Sequence, residues 1–138
     1  MTVRQISRTD VVTAEPDTPV PDLATTMREQ RIGSVVVTED ETPVGLVTDR
    51  DIGLGVWAYD DPASVTAAEV MTGDLVTVDA ETGIYDALQT AAEANVRRLP
   101  VVDDEELYGI VTLDDFVVLL SGEFDSVADV IQAESPPY

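Results

Sequence analysis

Two stretches of this chain carry the same residue types at the same spacing: Gly45-Leu-Val-Thr48-Asp-Arg-Asp51 and Gly109-Ile-Val-Thr112-Leu-Asp-Asp115. If each Thr stands where a strand turns into a helix, the Asp three residues on lies in the first helical turn, and both face one cleft. Free backbone N–H groups at such a helix start favour a phosphate, and the Thr hydroxyl can donate to it. The carboxylate can accept from both hydroxyls of a ribose, and the glycine lets a ring or sugar come close to the backbone. The same Thr-x-x-Asp is also close to a capping box, in which the Thr oxygen takes a helix N–H and the acid reaches back to the cap. On the four residues alone the cap is the expected role.

Other chemistries are removed by composition. With no Cys and no His, thiol and imidazole nucleophiles, Ser-His-Asp triads, disulfides and the common zinc ligand sets are all absent. Carboxylates, hydroxyls and seven arginines remain, and there is no lysine. Carboxylate pairs such as Asp103-Asp104 and Asp114-Asp115 could hold Mg²⁺, but in so acidic a chain they read as solvated surface. No nucleophile has a paired base, so an enzyme is not expected.

The elements that must position the two motifs follow from an internal duplication. An offset of 64 matches Val12-Thr13 to Val76-Thr77, Asp22 to Asp86, Thr26 to Thr90, Val37 to Val101, Gly45 to Gly109, Thr48 to Thr112 and Asp51 to Asp115 without a gap. Units of about 60 residues bury little surface alone, so the two should pack together as one pseudo-twofold body. Each unit reads as strand, helix, strand, strand, helix. The first has a strand at Val11 to Thr13, a helix from Val20 to Arg31, strands Ser34 to Thr38 and Val44 to Val47, and a helix from Asp49. The second has Val76 to Val78, a helix carrying Ile84, Ala87, Leu88, Ala91 and Ala92 that ends at Asn95, strands Leu99 to Val102 and Tyr108 to Val111 around an acidic turn, and a helix begun by Phe116 to Leu120. The division is 6–61 for the first unit, 62–74 for a connector with a short helix near Ala67, 75–122 for the second unit, and 123–138 for a tail. That tail is expected to form a last short helix after Ser126, stopped by Ser135-Pro136-Pro137. The class is α+β, with two tandem β-α-β-β-α units.

With Val-Gly-Leu-Val-Thr-Asp-Arg-Asp-Ile in one unit, and Arg-Arg-Leu-Pro-Val-Val-Asp and Gly-Ile-Val-Thr-Leu-Asp-Asp-Phe in the other, the chain resembles a tandem pair of cystathionine β-synthase (CBS) domains, from about Ile6 to Ser121. The resemblance implies a regulatory module that binds adenosine-containing ligands between its copies and often dimerises into a disc. It also moves the two motifs from caps to a ligand site holding Gly45, Thr48, Asp51, Gly109, Thr112 and Asp115. By the same resemblance the base lies against Thr13, Ala14, Val35 and Val36 in one copy and Thr77, Val78, Leu99 and Pro100 in the other. Arg97 and Arg98 stand where the family often carries phosphate-binding residues, and Arg50 is a further candidate. The first copy has Gly33-Ser34 at the place of the two arginines, so the clefts should be unequal, since an arginine fork holds phosphate bidentately and these residues do not. Pro100 corresponds to Val36 in the first copy, a departure from the motif there.

The remaining expectations come from charge and hydropathy. Seven basic against 28 acidic residues give a net charge of −21, yet 44% of residues are apolar, enough for a folded core rather than disorder. Scattered arginines among so many acids argue against nucleic acid and anionic membranes. Acid spread over the whole chain, with arginine as the sole basic residue, reads as adaptation to a cytoplasm at molar salt, where screening suppresses self-repulsion. Apolar runs such as Phe116 to Leu120 are too short to span a bilayer, and the first residues lack a signal-peptide stretch, so a cytoplasmic location is expected. Trp57 and Tyr59 could stack on a base or cover a dimer interface, and the interface is the preferred role. The expected function is adenosine nucleotide sensing (AMP, ADP, ATP or a related compound), with no required cofactor, Mg²⁺ accompanying the nucleotide at most, a homodimer through the helices, and an enzyme or transporter regulated in trans. The alternative is a ligand-free structural or oligomerisation module.

Overall fold

β-branched runs and helical spacing alternate along the chain, and the computed structural model, which describes residues 1–134, folds them into two small three-stranded sheets with helices. The first unit comprises β1 (Thr13–Ala14), α1 (Val20–Gln30), β2 (Ser34–Glu39), β3 (Thr42–Thr48) and α2 (Asp49–Gly55). A one-turn α3 (Ala67–Val70) leads to β4 (Val78–Asp79), α4 (Ile84–Ala94), β5 (Arg98–Asp103), β6 (Glu106–Thr112) and α5 (Leu113–Glu134). The sheets run β1-β2-β3 and β4-β5-β6, the first pair in each parallel and the second antiparallel. α1 buries Val20, Leu23 and Met27, one stripe of the helix, while α4 buries the small Ala87 and Ala91. Both hairpins turn on two acidic residues at positive φ, Asp40 and Glu41 (49° and 68°) and Asp104 and Glu105 (49° and 67°), the backbone sense that suits twisted antiparallel strands. The hairpin tips meet where the Leu107 N–H donates to the Glu41 carbonyl at 2.8 Å.

Chain order and packing diverge at the start of each repeat. Residues 2–8 lie on the second sheet: the Val3 and Arg4 N–H groups donate to Thr82 and Ala80 carbonyls at 2.9 and 3.0 Å, and Arg8 exchanges two hydrogen bonds with Ile110. Val3 is completely buried in the second core. Arg4 fastens this segment further, reaching Glu81 at 2.6 Å and Asp103 at 2.7 Å and lying 4.6 Å from the Tyr108 ring centre; Asp103 and then Glu81 push its pKa above the ordinary arginine value. Conversely, residues 66–72 lie on the first unit, with Ala67 N–H donating to Thr18 at 2.8 Å and Thr72 exchanging bonds with Leu46. Arg8 and Thr72, Ile110 and Leu46, and the capping boxes Thr2-x-x-Gln5 and Thr66-x-x-Glu69 all stand 64 apart. The duplication therefore begins near Thr2, and each repeat lends its first residues to the other sheet.

Three elements differ from the sequence reading. β4 starts at Val78, two residues later than the strand expected at Val76 and one residue later than its counterpart in the first unit, and Pro100 causes that last difference. In the first unit Val36 N–H donates to the Val12 carbonyl at 3.2 Å and Thr13 pairs with Val36. At the equivalent place Pro100 has no N–H, so pairing begins at Val78 with Val101 and Thr77 stays outside the strand. β1 likewise begins at Thr13 rather than Val11. The tail expected from residue 123 is, through Glu134, the body of α5, one continuous helix of 22 residues; the Pro136-Pro137 stop lies outside the described residues.

Candidate functional site

Thr48 and Thr112 each close a β-strand and cap the helix that follows. At Thr48 the backbone N–H donates to the Asp51 carboxylate at 2.9 Å, and Asp51 N–H donates to the Thr48 hydroxyl oxygen at 3.1 Å. At Thr112 the backbone donates to Asp115 at 2.8 Å, and the hydroxyl itself also donates to that carboxylate at 3.0 Å. Asp115 additionally meets the Arg8 guanidinium at 3.3 Å. Both acids therefore serve as caps, and the Thr112 hydroxyl proton is spent. The Thr48 hydroxyl proton has no acceptor among the described residues.

Backbone bonds then bring the arginines to the same place. Leu113 N–H donates to the Arg97 carbonyl at 2.9 Å, tying the start of α5 to the entry of β5, and Asp49 N–H donates to the Gly33 carbonyl at 3.0 Å in the first unit. The result is a cleft of about 460 Å³ between the units. Leu46, Thr48, Asp49 and Arg50 line it from one side, Arg97, Arg98, Thr112, Leu113 and Asp114 from the other, with Asp74, Leu75, Val76 and Val96 between them. Arg98 extends toward the other unit: a Cβ on Gly33 would lie 3.4 Å from its Nη2. Arg50, Arg97 and Arg98 form no ion pair among the described residues, although Arg4 and Arg8 both do. Where Pro100 cannot donate, the Val76 carbonyl is left without a backbone donor among the described residues, on the cleft wall.

Of the residues singled out from the sequence, the cleft gathers Thr48, Arg50, Arg97, Arg98 and Thr112. Asp51 and Asp115 stand behind their threonines and do not line it. Gly45 and Gly109 are buried for another reason than a sugar's approach: a Cβ on Gly45 would collide with the Met71 side chain, and one on Gly109 would come within 2.5 Å of the Arg8 carbonyl oxygen. The glycines admit the exchanged segments. Val36, Val78 and Pro100 are buried, Ala14 is half-buried in β1, and Thr77 is half-buried just before β4. Thr13 lines a smaller separate cavity of about 270 Å³ with Thr9, Thr38, Glu41, Glu106 and Tyr108. Sequence reading missed Leu46, Leu75, Val76 and Val96, whose apolar character marks them equally well as core. Among the described residues no group of three or more acidic side chains is placed to hold a metal ion, and no helix is long and apolar enough to cross a membrane.

The CBS domain family model matches residues 3–52 and 67–122, most of the chain and both repeats. The chain belongs to the CBS domain family. This CBS pair is 34% identical over 84% of its length to the CBS domain-containing protein YhcV of Bacillus subtilis, of which it covers 83%. It is 34% identical to Hypoxic Response Protein I, crystallised with two coordinated zinc ions, covering 86% of this chain and 98% of that one with a TM-score of 0.77. It shares the fold of the CBS domain pair of protein MJ0100, solved with 5′-methylthioadenosine and S-adenosyl-L-methionine, at 24% identity and a TM-score of 0.78 over 89% of this chain and 98% of that one. Across the first curated relatives the pair spans from 61% to 83% of their length.

Proposed function

We propose that this CBS pair is a regulatory module that binds a phosphate-bearing adenosine compound in the cleft between its units. One observation carries the reading: in a chain of net charge −21, three of the seven arginines, Arg50, Arg97 and Arg98, converge on one cleft without an ion pair among the described residues. Guanidinium groups left unpaired amid 28 acids suit an anion that arrives from solution. The Thr48 hydroxyl adds a donor for phosphate. Leu46, Leu75, Val76 and Val96 offer an apolar bed for a base, and the Val76 carbonyl an acceptor for an exocyclic amine. The volume lies within the range of small-ligand sites. The adenosine ligands of the MJ0100 pair point to the same ligand class, as does the family resemblance. Asp51 and Asp115 are positioning residues in this reading, holding the two threonines, and the action is a shift in the geometry of the pair or its dimer that a partner enzyme or transporter reads. Two chains associate through exposed helical residues, among them Trp57, 78% exposed, and the outer face of α5.

The completed capping boxes and the glycines used in packing favour a second reading, a structural module that binds nothing. Calorimetric titration of the folded chain with AMP and adenosine in molar KCl separates the two. Heat of binding from AMP, weaker or absent with adenosine, is expected. No heat from any adenosine compound with the fold intact would leave the structural module. High salt is chosen because unscreened −21 should loosen the fold; equal melting temperatures in about 0.1 M and about 3 M KCl, between which the screening length shrinks about fivefold, would remove the high-salt part of the reading.

A further inference from the structure

The two Thr-x-x-Asp pairs are built alike and yet leave their hydroxyls in opposite states. A hydroxyl has one proton to give and two lone pairs to receive. At Thr48 one lone pair takes the Asp51 N–H at 3.1 Å, and the proton has no acceptor among the described residues. At Thr112 the proton goes to the Asp115 carboxylate at 3.0 Å and one lone pair takes the Asp115 N–H at 3.4 Å, so only a lone pair is left for the cleft. Thr48 can therefore donate to a ligand, whereas Thr112 can only accept from one. What differs between the two carboxylates is Arg8. Its guanidinium donates to Asp115 Oδ1 at 3.3 Å, while Asp115 Oδ2 takes both the Thr112 N–H and the Thr112 hydroxyl. Asp51 meets no arginine among the described residues, and its Oδ2 takes the Thr48 N–H alone. The residue 64 positions on from Arg8 is Thr72, which has no charge to offer and lines the cleft itself.

The backbone of Arg8 is firmly held outside the cleft. It exchanges hydrogen bonds with Ile110 at 3.0 and 2.9 Å, and its carbonyl lies so close to Gly109 that a Cβ there would come within 2.5 Å. We infer that Arg8 is a positioning residue for the cleft: through Asp115 it turns the Thr112 hydroxyl proton away from the ligand and makes Thr112 a fixed acceptor. The inference rests on the proposed nucleotide site and adds the ligand's orientation. A phosphate presents acceptor oxygens, so it is favoured at the donor Thr48, toward whose unit the Arg98 guanidinium reaches, and disfavoured at the Thr112 oxygen. A sugar hydroxyl brings the proton that Thr112 cannot supply. The ligand therefore lies with its phosphate toward Thr48 and a ribose hydroxyl against Thr112, a direction set by an arginine that never touches it.

Calorimetric titration of the full chain in molar KCl with AMP, 2′-deoxy-AMP and 3′-deoxy-AMP tests this. Wild type is expected to bind at least one deoxy compound about threefold to fivefold more weakly than AMP, the worth of one net hydrogen bond. Arg8→Ala is expected to bring that ratio to within about twofold and to weaken AMP itself about threefold. Its melting temperature should move little, since the Arg8 side chain is 67% exposed and a surface ion pair stabilises weakly. Arg8→Lys, which keeps the charge, is expected to keep the wild-type ratio. A merely structural role, or lost long-range attraction, would weaken all three ligands alike and leave the ratio in place. An unchanged ratio in Arg8→Ala would overturn the inference, as would a wild type that binds all three compounds equally; in both cases heat with AMP leaves the nucleotide site standing. No heat with AMP and the fold intact would instead overturn the site, and the orientation with it. Should Arg8→Ala fail to fold, Arg8→Gln, which keeps much of the side-chain stem, is read in the same way.

Discussion

The two units share a fold and an interior repeat of 64 residues, yet they bring different chemistry to the cleft. The first unit supplies a Thr48 whose hydroxyl proton has no acceptor among the described residues and, at the start of β2, Gly33-Ser34, which leave room for a neighbour's side chain. The second supplies the charge, Arg97 and Arg98, while its own Thr112 is committed to Asp115 and that acid in turn to Arg8. One glycine in each unit yields to the exchanged segment, but what it yields to differs: a flexible methionine side chain at Gly45, a backbone carbonyl at Gly109. Even the ends of α1 and α4 differ, since both close in the left-handed region, with Asn95 well suited to it and Arg31 not. The lesson is that duplication conserves backbone hydrogen bonding, and that side chains facing the shared cleft are free to specialise once each sheet has its core.

The contrast is most sharply tested by moving charge. Replacing both Arg97 and Arg98 by Ala removes charge-assisted hydrogen bonds of about 1.5–3 kcal/mol each, so AMP affinity is expected to fall about a hundredfold or more, with adenosine affinity changed little. Calorimetry on the two ligands checks this, and equal losses for both would mean that the arginines do not meet the phosphate. Next in size is Gly109→Ala, which drives a methyl into backbone and is expected to cost about 1–3 kcal/mol in denaturant unfolding. Gly45→Ala meets a thioether that can swing aside, and its cost should be smaller; the reverse order would contradict the contrast. Smallest is the pair of capping acids. Asp51→Ala is expected to lose about 0.5–1 kcal/mol of stability, and Asp115→Ala somewhat more because Arg8 and the Thr112 hydroxyl lose a partner too. Both should leave AMP affinity within about a factor of three, a change under about 0.7 kcal/mol, as measured by the same titration. A large affinity loss at either acid would restore it as a ribose ligand.

Much of this molecule is legible residue by residue. Asn95 as a helix terminator, the acidic hairpin turn after Asp103, and the capping boxes at Thr48 and Thr112 are all local: each is closed by atoms three or four residues apart, so residue type and spacing suffice. The offset of 64 similarly carries the β-α-β-β-α order of both units and, with it, the family. Two local signals were present but unread. The Pro100 ring already forbade the bond that Val36 makes, and Thr2-x-x-Gln5 already matched Thr66-x-x-Glu69.

What the tertiary structure alone decided is every relation between residues far apart in the chain. Residues 2–8 could satisfy their backbone groups on either sheet, and only the packing of Val3 and the bonds to Ala80 and Ile110 select the second. The role of Gly45 and Gly109 follows from that exchange, since a glycine's spacing to Thr cannot say whether a sugar or a neighbouring segment presses on it. The same holds for the arginines. In sequence, Arg50, Arg97 and Arg98 are three basic residues among many acids, each with carboxylates nearby along the chain. In the fold Asp49, Asp74 and Asp114 line the same cleft yet form no ion pair with the three guanidinium groups among the described residues, because hydrogen bonding and charge pairing act through distance in space and the sequence orders only distance along the chain.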